Sequence, residues 1–208
     1  MIDAKEDRDV ATAEIPGAFL QTYDTSVSTH LNFDGMVAEL LARIYPYLYR
    51  KYIITNKKCC KIIYAEFLKA LYGTLDASLL FWVKLSNDLE RWGFKINRYD
   101  WCVMNKYIEG DQCTIMWHVD DIKTSHRYPK VVTTIIDLIS SFYGRESPLI
   151  ITRGKVHEYL GMTIDFSEKG KGKFIIYDYI ADMLEYLPED TKTGESETPA
   201  EYHLFTNI

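Results

Sequence analysis

The stretch "WHVDDIKTSH", residues 117–126, sets two aspartates side by side between apolar runs. Strand-forming sequence on both sides, "CTIMWHV" (113–119) and "IKTSH" (122–126), reads as a β-hairpin with Asp120 and Asp121 at its turn. Two adjacent carboxylates repel each other. Either the turn lets both reach water, which is ordinary for Asp, or a cation sits between them. The second reading requires a third carboxylate arriving from another strand.

Working outward, Pro129 opens a helix through "KVVTTIIDLISSF", with Val132, Ile135, Ile136, Ile139 and Phe142 on one stripe and Gly144 beyond its end. "KVHEYLGMTIDF" (155–166) and "KFIIYD" (173–178) alternate around "SEKGKG" as a second hairpin. Asp178 is placed to cap a last short helix that reaches Leu187 and stops at Pro188. Upstream, residues 77–92 put Phe81, Leu85, Leu89 and Trp92 on one helical face, with Gly93 as the stop. Residues 35–44 read as helix, 61–73 as a mixed apolar run ending at Gly73, and 9–20 as a strand entering a turn at Pro16-Gly17. Helices on one face of a mainly antiparallel sheet give an α+β fold of the split βαβ kind.

At 208 residues and 47% hydrophobic, with 16 Tyr, the chain can bury a sizeable core. No apolar run reaches the roughly 18 residues of a membrane span, and the charged start "MIDAKEDRDV" is unlike a secretory signal. Sparse cysteines, Cys59, Cys60, Cys102 and Cys113, suit a reducing intracellular compartment. The vicinal Cys59-Cys60 reads as a redox pair or as two incidental thiols. The net charge of −6 speaks against a wholly basic nucleic-acid binder. Residues 43–69 nevertheless carry seven Lys and Arg against Glu66 alone, a stretch that either faces phosphates or is simply solvated. Residues 188–208 are polar and read as a loose tail.

Four blocks in order carry a resemblance. "KALYGTLDASLLFW" (69–82) resembles K-A-L-Y-G-L-K-Q-x-P-R-A-W. "GFKINRYDWCV" (93–103) resembles G-F-x-x-S-x-x-D-x-C, "HVDD" (118–121) resembles Y-V-D-D, and "HEYLGMTIDF" (157–166) resembles Y-F-L-G-I-E-I. These are the blocks of the reverse transcriptase domain of copia-type LTR retrotransposons. The resemblance implies a polymerase palm with a partial fingers region: a domain over 1–187, fingers-like over about 23–70. The implied activity is RNA-directed DNA polymerisation by a two-metal mechanism. The partners would be an RNA or DNA template with primer, deoxynucleoside triphosphates and other regions of the element's polyprotein, with no membrane.

The implied site follows residue by residue. Asp120, Asp121 and Glu14 would hold two Mg²⁺ ions, with the backbone carbonyl of Ile15 as a further oxygen. Phe19, Tyr72 and Gly73 would meet the incoming nucleotide, Phe19 by crowding a ribose 2′-OH. His118, Tyr159, Leu160 and Gly161 would meet the primer end, and Arg50, Lys51, Lys57, Lys58 and Lys61 the nucleic-acid backbone. Plainer readings stand beside these: Phe19 as a core aromatic, Gly73 as a turn glycine, 159–161 as hairpin core.

The third carboxylate has two registers. "DVATA" (9–13) matches the opening of the family's D-V-K-x-A-F-L block, while "EIPGAFLQ" (14–21) matches its end and puts Glu14 where the family has Asp. Asp9 and Glu14 are five apart, so a continuous strand turns them to opposite faces. Glutamate reaches about 1.5 Å further than aspartate, and a 1 Å misplacement can cost about a hundredfold in rate. Asp76 and Ser78 replace the family's Gln and Pro, His118 replaces its Tyr, and only 13 residues precede Glu14, where the family carries a longer fingers segment. These departures point to a defective polymerase, or to an inactive remnant that binds nucleic acid or acts as a scaffold. A two-metal nuclease fits the carboxylates but not the other blocks.

Overall fold

The computed structural model describes residues 2–23 and 30–187. The tail at 188–208, with Pro188, lies outside the described residues. The elements are α1 (Ile2–Lys5), β1 (Asp9–Glu14), β2 (His30–Asp34), α2 (Gly35–Ile44), α3 (Pro46–Tyr49), β3 (Ile54–Thr55), β4 (Lys61–Glu66), α4 (Ala77–Arg91), β5 (Lys95–Ile96) and β6 (Val103–Ile108). After them come β7 (Asp111–His118), β8 (Asp121–His126), α5 (Pro129–Tyr143), β9 (Ile150–Arg153), β10 (Val156–Tyr159), β11 (Met162–Asp165), β12 (Lys173–Ile175) and α6 (Tyr177–Tyr186).

The main sheet has the order β5-β6-β7-β8-β1-β9, and its pairings are antiparallel. The alternation of β1 explains its central place. Ala11 and Ala13, continued by Ile15, point to α4 and α5 and join Ile115, Ile122, Phe81, Leu85, Ile135 and Ile139 in one core. Val10 and Thr12 point the other way and are also buried. A strand covered on both faces carries small and β-branched residues throughout, as "VATA" does. The α+β architecture with helices on one face of an antiparallel sheet is therefore present.

The opposite face is not bare. Beyond Arg153 the chain forms a second sheet, β10-β11-β12, which packs Tyr159, Ile164 and Phe166 on Val10 and Ala4, with Met116 against them. Here the single strand expected over 155–166 is corrected. Leu160 and Gly161 both take positive φ (53° and 71°) and fold it into β10 and β11, with Tyr159 opposite Met162. A third sheet, β2-β4-β3, occupies part of the span expected to be fingers-like.

Two helix readings need correction. The α5 stripe continues from Ile139 to Tyr143, four residues on, and not to Phe142, which is 44% exposed and packs edge-on against Trp92. Asp178 does not cap α6; it lies in the first turn, and the N-cap is Ile176 with no side-chain cap bond. Both differences are small shifts along the chain: the stripe takes a step of four where three was expected, and the last helix begins just ahead of Asp178.

Tyr143 also closes a polar network inside the helical layer. Its hydroxyl donates to Asp88 Oδ2 at 2.7 Å, and Lys84 and Arg91 pair with the same carboxylate at 3.0 and 3.1 Å. Burial resists ionisation of Asp88, but the Tyr143 hydroxyl and the Lys84 ammonium hold it below the usual carboxylate range. Among the described residues no helix is long and apolar enough to cross a membrane. Tyr143→Phe removes a hydrogen bond to a charged group and should cost about 1.5–3 kcal/mol, whereas Phe142→Ala should cost well under that. Thermal unfolding of the two variants checks the order, at about 2–4 °C per kcal/mol for a domain of this size.

Candidate active site

The register of β1 on β8 places Glu14 opposite Asp121, and the β7–β8 register places His118 opposite Asp121 on the other side. Cross-strand partners share a face. Glu14, Asp121 and His118 therefore form a row across three strands on the face away from α4 and α5. Asp120 sits in the turn, and its carbonyl accepts the Ile15 amide at 2.9 Å, which fixes the end of β1 against the hairpin. The turn has an unusual entry. Val119 takes φ 54°, a left-handed conformation that a β-branched residue adopts only under constraint.

Asp9 is at the far end of β1, opposite His126, where Arg153 pairs with it. The same guanidinium donates to Pro129 O and Thr133 Oγ1 at 2.8 and 3.0 Å. Strand parity is thus obeyed: Glu14 is beside the aspartates and Asp9 is engaged elsewhere.

The "ALYG" block comes to the same place. Tyr72 donates its hydroxyl to Asp120 Oδ2 at 3.1 Å, and its ring lies 4.3 Å from that of Phe19. Burial pushes the Tyr72 hydroxyl up, and Asp120 and Glu14 push it further, so it remains a donor. Phe19 is buried within the helical core, its ring 6.4 Å from that of Phe81 and edge-on to it. Gly73 takes φ 93° with open space where a Cβ would stand, so the backbone conformation, not crowding, is what calls for glycine.

The electrostatics follow from the row. Burial raises the Asp121 carboxyl, and the charges of Asp120 and Glu14 raise it further, with His118 opposing. Among the described residues no ion pair engages any of the three carboxylates. Their chemistry fits a hard divalent cation, which takes oxygen ligands. As they stand, though, no three such side chains among the described residues converge closely enough to hold a metal ion.

The remaining predicted residues divide. Tyr159 faces the main sheet from β10, 5% exposed, and Leu160 and Gly161 form the tip of that hairpin. Burial raises the Tyr159 hydroxyl first and Asp121 second, which puts this tip within electrostatic range of the row. The basic residues lie on the β2-β4-β3 side. Arg50 and Lys61 line a cleft of about 580 Å³ with Arg43 and Glu39, and Lys61 pairs with Glu39 at 3.0 Å. Lys51 lies over the Tyr52 ring at 4.8 Å, and Lys57 and Lys58 are exposed in the β3–β4 turn. All four cysteines are free thiols.

Two contacts had no visible signal: the Tyr72–Asp120 bond, and the buried Lys123–Asp3 ion pair at 2.5 Å, two residues along β8 from Asp121. Strand parity puts Lys123 on the face of Asp121, but nothing in the sequence marks Asp3 as its partner.

A carboxyl held above its unfolded value binds a proton more readily when folded. Ionised Asp121 therefore subtracts stability at neutral pH, and the loss disappears as pH falls toward the ordinary Asp value of about 4. A like-charged cross-strand pair costs up to about 1 kcal/mol. Asp121→Asn should accordingly raise the unfolding temperature at pH 7 by about 2–4 °C, with no gain below about pH 4. Added Mg²⁺ should raise the wild-type midpoint more than that of the variant.

No protein-family model and no curated protein matches the chain. Among solved structures it is similar to apo telomerase from Candida tropicalis, at 9% identity and TM-score 0.44, over 80% of this chain and 32% of that one. It is similar as well to telomerase from Candida albicans in complex with a fragment of telomeric RNA, at 9% identity and TM-score 0.42, over 81% and 32%. The chain thus spans about a third of the length of these proteins.

Proposed function

We propose that this chain is the palm-centred part of a reverse transcriptase domain of a copia-type retroelement, extending a primer with deoxynucleotides on an RNA or DNA template. The observation that carries the reading is the Glu14–Asp121–His118 row with Asp120 at its turn. It gathers, on one sheet face, carboxylates from segments more than a hundred residues apart.

In this reading Glu14, Asp120 and Asp121 would hold a pair of Mg²⁺ ions, with the Ile15 carbonyl as a further oxygen. Such a pair would supply activation of the attacking primer oxygen and neutralisation of the leaving pyrophosphate. The chain's own residues do the rest. Tyr72 orients Asp120 through its hydroxyl, and Phe19 supports the Tyr72 ring from below. The strained Val119 turn sets the direction of both aspartates. Leu160 and Gly161 present a hairpin tip to the primer end. Lys57 and Lys58, with the Arg50–Lys61 cleft, offer positive charge to a phosphate backbone. Other regions of the element's polyprotein would complete the enzyme.

One observation favours a second reading, a non-polymerising nucleic-acid-binding remnant. The Phe19 ring that would guard a sugar is covered by Tyr72, and the carboxylates do not converge.

The assay is deoxynucleotide incorporation on poly(rA)·oligo(dT) with Mg²⁺. Asp120→Asn should reduce incorporation by at least about a hundredfold, and Glu14→Asp should raise it, by up to about a hundredfold if the extra methylene is the only defect. Incorporation that survives Asp120→Asn overturns the assignment. No incorporation by either wild type or Glu14→Asp, with duplex binding retained, selects the remnant. Duplex affinity should fall steeply with salt through counterion release, by about 1 in the log–log slope for each phosphate neutralised, and charge reversal at Lys57 and Lys58 should weaken it.

A further inference from the structure

The inner face of the β10-β11-β12 sheet does not seal completely onto the main sheet. A cavity of about 250 Å³ remains between them, walled by Met116 and Lys123 of the main sheet and by Tyr159, Met162, Ile164 and Phe174 of the small one. Its lining is chiefly apolar, and its mouth is where Leu160 and Phe174 reach solvent. Lys123 is the cation of this wall, and its ammonium is already committed to Asp3 at 2.5 Å. An occupant with a net charge would therefore find no free counter-ion in the wall.

Two buried polar atoms of the lining have no hydrogen-bond partner among the described residues: Asp3 Oδ1, an acceptor on the carboxylate that Lys123 already neutralises, and the Tyr159 hydroxyl. Tyr159 is 5% exposed. Buried hydroxyls are nearly always paired, because an unpaired one forfeits its hydration. Burial and Asp121 both hold this hydroxyl protonated, so it offers a donor.

We propose that this cavity is a binding site for a small, neutral aromatic molecule that carries one carbonyl-type acceptor, with the ring among Met116, Met162, Ile164 and Phe174 and the acceptor on the Tyr159 hydroxyl. Size sets the limit. A cavity of about 150 Å³ takes benzene, and drug-sized pockets begin at about 300 Å³. The space suits a single ring with a short substituent. The cavity has this chemistry whether or not the carboxylates polymerise, and its occupancy is measurable without any turnover.

Acetophenone serves as the probe, and α-methylstyrene, of the same shape with methylene in place of the oxygen, as its control. Acetophenone is titrated to about 10 mM, tenfold above a millimolar Kd, and the sparingly soluble α-methylstyrene to saturation, with the two compared at equal concentrations, into the full chain labelled with ¹³C at the methionine methyls. Acetophenone should shift the Met116 and Met162 signals saturably. Met104, buried on the helical face of the sheet, and Met36, 84% exposed, should not move. α-Methylstyrene should bind about fivefold more weakly, the ratio of one ordinary hydrogen bond. Tyr159→Phe should erase that preference, and Ile164→Phe, which fills the space, should remove both responses. Absence of a saturable shift at Met116 and Met162 in the wild type overturns the proposal, as does an equal response at Met36. A preference for the ketone that persists in Tyr159→Phe overturns the polar half of it.

Discussion

The register of β1 on β8 is the constraint from which the rest of the site follows. Side chains alternate with a period of two, so sliding β1 by one residue would turn Ala11, Ala13 and Ile15 out of the helical core and carry Val10 and Thr12 into it. Both faces of β1 are filled, one by α4 and α5 and the other by the small sheet, so neither slide is tolerated. Glu14 is thereby locked opposite Asp121 by mostly apolar residues, with the buried Thr12 hydroxyl bonded to His157 Nδ1. The electrostatic cost of that juxtaposition is borne by the apolar packing of the strand.

The costs concentrate at one end of the sheet. Asp121 is pushed toward its neutral form by its neighbours, Val119 occupies a conformation suited to glycine, and Tyr72 contributes the hydroxyl that steadies Asp120. At the other end of β1 the charge is matched, where Arg153 meets Asp9, and two residues along β8 from Asp121 Lys123 is already matched by Asp3. A fold that pairs its charges at one end of a strand and leaves them opposed at the other concentrates unmet attraction for a cation where Glu14, Asp120 and Asp121 lie.

Much of this was legible in the residues. The hairpin around Asp120-Asp121, the two long helices and the opposite facing of Asp9 and Glu14 all follow from period and parity, which are local properties. What escaped was set by tertiary packing or by unusual turn chemistry. Leu160-Gly161 is a poor advertisement for a two-residue turn, since a leucine rarely takes φ 53°. Val119 hides the same way. The Tyr72–Asp120 bond joins residues 48 apart and has no sequence period at all. Phe19 was legible as an aromatic beside the site, but whether its ring faces a ligand or Tyr72 depends on how the 67–76 loop returns.

Arg153 clasps Asp9, Pro129 and Thr133 at once, tying the start of β1 to the first turn of α5 and the end of β9. The Glu14 end is held differently: there the backbone pairs with β8 on one side and β9 on the other, and the Ile15 amide adds a bond to the Asp120 carbonyl. The strand is thus clamped at both ends, by a side chain at Asp9 and by main chain at Glu14. Local opening begins where the fewest bonds must break. Fraying of the Glu14 end would have to break the ladders to both neighbours, so backbone amides there exchange with solvent no sooner than those beside Arg153. The opposed carboxylates therefore cannot relieve their repulsion by letting the strand peel away; only their side chains can turn.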